Sequence, residues 1–129
     1  MRSGVEPHRK GDRMSAFQKK SFNAPDETRT PPNTKLEFVK FGDMTVARMT
    51  CLPGWRWSEH IRPMAGTDSC QGTHFSYVIS GRLRTRMDDG TEFDIGPGDI
   101  AITAPGHDAW VIGDEPFVVL DIQGASRNV

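Results

Sequence analysis

Residues 73–104 read THFSYVISGRLRTRMDDGTEFDIGPGDIAITA, and their spacing decides the fold. Four short β-rich runs, 73–80, 82–88, 91–95 and 100–104, are separated by Gly81, by Asp89-Gly90 and by Pro97-Gly98-Asp99. No part of the stretch carries the 3.6-residue apolar period of a helix. Asp89-Gly90 reads as a two-residue type I′ hairpin, which needs positive φ at both central positions. Side chains alternate faces along a strand, so Leu83, Thr85 and Met87 share one side and Arg82, Arg84 and Arg86 the other. The arginines are assigned to water, with an anion-binding row as the sharper alternative. Outward from this stretch the same grammar adds runs at 36–41, 44–51, 55–61, 109–112 and 117–122. Nine short strands with tight turns predict an all-β sandwich or barrel.

The chain has 129 residues, 36% hydrophobic and 26% charged, with a formal net charge of −1. That length suits one core. The charge balance gives no pull toward nucleic acid, and no apolar run approaches the roughly 20 residues that cross a bilayer. A cytoplasmic location is expected, with neither nucleic acid nor membrane as partner. Residues 1–35 hold Pro7, Pro25, Pro31 and Pro32 and a basic excess, and read as a flexible N-terminal arm whose second half docks if Phe17 and Phe22 find cover. The barrel is assigned to 36–129. Cys51 and Cys70 make no disulfide framework; Cys51 reads as a small core residue.

His8 lies in the arm, whereas His60, His74 and His107 fall on different strands or strand ends. Each sits on the smaller, more polar side of its run, as a pocket wall would. Imidazoles converging from separate strands leave open positions on a divalent ion. A lone strand histidine is more often a hydrogen-bonded structural residue, and no local pair such as CxxC fixes two ligands here.

Residues 53–81, PGWRWSEHIRPMAGTDSCQGTHFSYVISG, and 96–110, GPGDIAITAPGHDAW, resemble the two motifs of the cupin superfamily. Gly54 and five residues lead to His60 at the first histidine position, Arg62 stands at the second, and His74 occupies the place of the glutamate. Gly98 and Gly106 match the second motif, but Ala109 fills its histidine position and His107 lies two residues earlier. Within the superfamily the chain is similar to small single-domain bacterial cupins with a degenerate metal motif, which share a lead-in like FNAPDETRTPP at 22–32.

The resemblance implies a double-stranded β-helix, or jelly-roll barrel, holding a divalent transition metal such as Fe, Mn, Ni or Zn. Carried over residue by residue, it makes His60, His74 and His107 the ligands, with Cys70 or Asp68 as a fourth if the insertion folds over the barrel mouth. A guanidinium cannot ligate a cation, so Arg62 either turns outward or binds an anionic substrate before the metal, helped by Tyr77. Trp55 and Trp57 fall on the face away from His60 and need cover from a homodimer partner or the arm, or else pack in the core. Two functions are carried forward. One is a metal-dependent dioxygenase, isomerase or decarboxylase acting on a small, anionic molecule; the other is a non-catalytic ligand-binding or sensory module. No convincing catalytic carboxylate is visible.

Overall fold

The computed structural model describes residues 16–123; His8 and the first fifteen residues of the arm lie outside the described residues. In chain order the elements are β1 (Glu27–Arg29), β2 (Thr34–Phe41), β3 (Met44–Cys51), the short helical turns α1 (Trp57–His60) and α2 (Arg62–Ala65), β4 (His74–Ser80), β5 (Arg82–Met87), β6 (Glu92–Ile95), β7 (Ile100–Thr103), β8 (His107–Ile112) and β9 (Phe117–Gln123). Two antiparallel sheets form the double-stranded β-helix. Six strands run β1-β2-β3-β9-β4-β7 and three run β6-β5-β8. The core between them contains Cys51, Val78, Leu83, Val111, Phe117 and Val119.

Register follows the alternation. Leu36 pairs with Met49, Met49 with Val119 and Val119 with Val78, so one inward row crosses four strands. In β5, Leu83 and Thr85 are buried while Arg82 and Arg86 are exposed. Arg84 donates to both carboxylate oxygens of Asp94 at 2.8 and 2.9 Å, so the arginine row lies on the outer face with its middle member ion-paired.

The Asp89-Gly90 hairpin forms with a different turn from the one expected. Gly90 has φ of 94° but Asp89 is not in the positive region, which excludes type I′. The Gly90 amide bonds the Met87 carbonyl and the Met87 amide bonds the Thr91 carbonyl, giving a three-residue loop that ends on a left-handed glycine. The Asp89 carboxylate accepts the Thr91 amide at 2.9 Å and favours this local closure.

Residues 55–61 are the main correction to the strand assignment. Only Arg56 makes a bridge, to Trp110, after which the chain coils into α1 and α2. The Asp108 carboxylate accepts the Ser58 amide at 3.0 Å, an N-terminal cap supplied from β8. Pro63, without an amide proton and with φ fixed, sits in the first turn of α2, where both traits suit a helix. Trp55 and Trp57, 3% and 7% exposed, are buried in the monomer's own core. They need neither a partner nor the arm.

The second half of the arm is docked. Its strand β1 pairs with β2 through Thr28 and Glu37, and β2 begins at Thr34, so the boundary placed after residue 35 falls inside a strand. The Arg48 guanidinium lies 4.7 Å from the centroid of the Phe22 ring and donates to Glu37 at 3.0 Å, covering the outer side of β2 and β3.

Candidate metal centre

Three donors from separate parts of the chain meet inside the barrel. His74 opens β4 on its inward face and pairs with Thr103 of β7. His107 opens β8, directly after the turn at Gly106. Cys70 belongs to the insertion between α2 and β4, which is stapled to the barrel by an isolated antiparallel bridge. The Cys70 amide donates to the His107 carbonyl, and the Gly106 amide to the Cys70 carbonyl, each at 2.7 Å. This pairing carries the thiol to the two imidazoles. One donor atom from each of Cys70, His74 and His107 lies within 4.8 Å of the other two.

Each imidazole is oriented from behind. The Nδ1 of His74 lies 3.0 Å from Oδ2 of Asp121, and the Nδ1 of His107 lies 2.7 Å from the Ala104 carbonyl. Both acceptors select the tautomer with hydrogen on Nδ1 and leave Nε2 for the site, the arrangement that supports metal-bound histidines. The rings meet edge to face with centroids 5.3 Å apart. The Cys70 Sγ stands 3.6 Å from His74 Nε2.

The electrostatics suit a thiolate. Burial pushes the Cys70 thiol up, but hydrogen bonds from His107, from His74 and from the Gly72 backbone together outweigh it and bring the group down to about 6. His74 is raised to about 9, first by its bond to Asp121 and then by Cys70, against the opposing effect of burial. Cys51 is pushed up to about 12 by burial alone.

This donor set fits a divalent ion of borderline softness. Metal–sulfur and metal–nitrogen bonds of about 2.3 and 2.0–2.1 Å at a tetrahedral angle separate their donors by about 3.6 Å, the spacing found between Cys70 and His74. Two imidazoles and a thiolate suit Zn or Fe better than a hard ion such as Mg, and three protein donors leave a position open.

The other sequence assignments fall elsewhere. His60 ends α1, where its Nδ1 accepts the Arg56 amide at 3.0 Å and its Nε2 lies 3.5 Å from Asn33 Nδ2. It reaches back to the start of its own helical turn as a capping side chain does, and it stands outside the Cys70, His74 and His107 group. Arg62 and Asp68 are exposed and neither lines the cavity. Tyr77 is on the outer face of β4, 43% exposed. His60 was placed from an assumed strand at 55–61 and Asp68 from the insertion, while Arg62 takes the outward course that was one of its two readings.

Asp121 is the functional residue that was missed. It is 9% exposed, its Oδ1 accepts the Phe75 amide at 3.2 Å and its Oδ2 holds His74. The signal was present: in FVVLDIQ, Asp121 shares the inward parity of Phe117 and Val119, and a carboxylate is seldom placed there without a partner.

The donors sit on a cavity of about 290 Å³ walled by residues such as Trp57, Leu83, Phe117 and Val119. The sequence model of the cupin domain matches residues 59–123. The chain belongs to the cupin superfamily. No curated protein matches it. Among solved structures, this cupin is similar to a structural-genomics protein of unknown function from Rhizobium leguminosarum bv. viciae, at 19% identity and TM-score 0.61, with 84% of this chain and 96% of that one covered. A double-stranded β-helix protein from Klebsiella pneumoniae matches at 21% identity and TM-score 0.54, covering 88% and 94%. A mutant of Bacillus subtilis oxalate decarboxylase matches at 24% identity and TM-score 0.57, covering 77% of this chain. The cupin spans only 28% of that enzyme's length, and these likenesses establish the fold alone. Because side chains on a strand alternate, His107 and Ala109 project to the same inward face of β8, so a shift of two residues keeps the imidazole inside the barrel.

Proposed function

We propose that this cupin binds one divalent transition ion through Cys70, His74 and His107 and takes a small molecule into the adjoining cavity. The observation that carries the reading is the convergence of three donors, two of them imidazoles turned by Asp121 and the Ala104 carbonyl so that Nε2 faces the site. A bound ion would supply Lewis-acid polarisation of a ligand oxygen at the open position. The chain's own contribution is positional. Asp121 holds His74, the bridge at Cys70 holds the insertion closed, and the apolar wall keeps water from the reacting end.

The donor set supports either of the two functional classes. An enzyme would use the metal on a bound substrate, and a sensory cupin would report occupancy of the same cavity. The line Cys70, His74, Asp121 also has the order of a nucleophile, its base and the group that orients the base, which favours thiolate chemistry as the second reading if no ion binds. Titration of the metal-free protein with Co(II) separates these readings. The metal reading predicts saturable growth of a sulfur-to-cobalt charge-transfer absorption that is missing in Cys70→Ser, whereas its absence from the wild-type protein leaves the thiolate reading.

The homodimer belongs to the same proposal, on a different face from the one first expected. Tyr77 and Ile79 of β4 and Ile100 and Ile102 of β7 form an exposed apolar patch at the open edge of the six-stranded sheet. A second copy would cover it by contacting the same patch on itself.

A further inference from the structure

We propose that the ligand of this cavity is a small uncharged molecule with an apolar body and one polar oxygen, and that the cavity discriminates against carboxylates. The inference rests on the proposed site and names the chemistry that the site accepts. Among the described residues no lysine or arginine lines the cavity, and Arg62, the cation that sequence reasoning placed there, is exposed on α2. Much of the wall is apolar, with Leu36, Phe38, Met49, Leu83 and Ile95, and the donors within it are uncharged, such as the indole N–H of Trp55, which has no partner among the described residues. The ionisable groups of the lining, Cys70, His74, His107 and Asp121, stand together as one polar end.

The charge of that end decides against an anion. The Asp121 carboxylate faces His74 at 3.0 Å, and the Cys70 sulfur adjoins both imidazoles. No lysine or arginine stands beside these groups in the lining. A carboxylate entering the apolar chamber would lose its water with no guanidinium or ammonium to replace it. A hydroxyl or carbonyl loses far less hydration and can still reach the polar end, while an apolar body fills the wall. The volume of about 290 Å³ lies at the small end of the range for ligand pockets.

Benzyl alcohol and benzoate share a ring and differ in charge, so they test the inference directly. Binding of each to wild-type protein is measured by calorimetry and by the fluorescence of the wall tryptophans, on metal-free and on Zn(II)-loaded samples whose metal content is determined separately. The expected result is at least tenfold tighter binding of benzyl alcohol in both samples. Equal or tighter binding of benzoate, preferential binding of oxalate, or no detectable binding of either aromatic probe overturns the inference. Because the metal-free sample is scored independently, failure to load Zn(II) counts against the metal reading without deciding the ligand class.

Discussion

At the scale of single residues, the chain has two cysteines with opposite chemistry. Cys51 is walled into the core and its thiol is pushed up to about 12, whereas Cys70 is brought down to about 6 by the imidazoles beside it. A group with a lowered value is anionic above it and loses its charge as pH falls through it, so Cys70 is a thiolate at neutral pH. Iodoacetamide should therefore label only Cys70 in the metal-free protein, with its rate half-maximal near pH 6 rather than at the ordinary thiol value of about 8.5. Peptide mapping across a pH series checks both points, and a midpoint in the ordinary range would contradict the environment assigned to Cys70. His74 was legible in the sequence because its strand parity survives in β4, and His107 because it follows the Pro105-Gly106 turn of the second motif. His60 was misread because its parity came from a strand that does not exist. Asp121 lies outside the histidines' own strands, and only the antiparallel pairing of β4 with β9 brings it to His74.

At the scale of elements, most of the strand grammar could be read directly, and the exception has a definite cause. The run WRWSEHI alternates well enough to suggest a strand, but Pro63 two residues beyond it cannot donate to a ladder, and Asp108 captures the Ser58 amide to start a helical turn. Such a cap is a tertiary contact and has no local sequence signature. The link from β4 to β5 is the reverse case, since Gly81 declares itself. It has φ of 78°, and a Cβ there would lie within 2.3 Å of the Pro116 carbonyl oxygen. Gly81→Ala therefore meets both an unfavourable backbone region and a backbone clash, and should cost about 1–3 kcal/mol or more. Urea unfolding checks this, and a change below about 0.5 kcal/mol would show that the turn relaxes freely.

At the scale of the whole molecule, the sequence carried the barrel, while its expectation of self-association leaned on two tryptophans that the fold buries. Trp55 and Trp57 close the core from within, and the patch left over is on β4 and the edge strand β7, where Ile100 and Ile102 are 68% and 66% exposed. Light scattering should give a mass near twice 14.4 kDa, and Ile102→Lys should return it to the monomer value without loss of the barrel's circular dichroism. A wild-type monomer would remove the dimer from the account and leave the cavity untouched. The cavity itself joins both sheets, because its donors come from β4 and β8 and from the insertion bridged to β8. Whatever the cupin does with its ligand depends on that closure.

The central claim is that the insertion and two opposed strands build one ion site from which His60 is excluded. Elemental analysis of tag-free wild-type, His60→Ala and His74→Ala proteins, each dialysed after loading with Zn(II), tests it most directly. About one ion per chain should remain in the wild type and in His60→Ala, and His74→Ala should lose most of it. A wild type that retains no ion, or a His60→Ala protein that loses it while His74→Ala keeps it, would contradict the account.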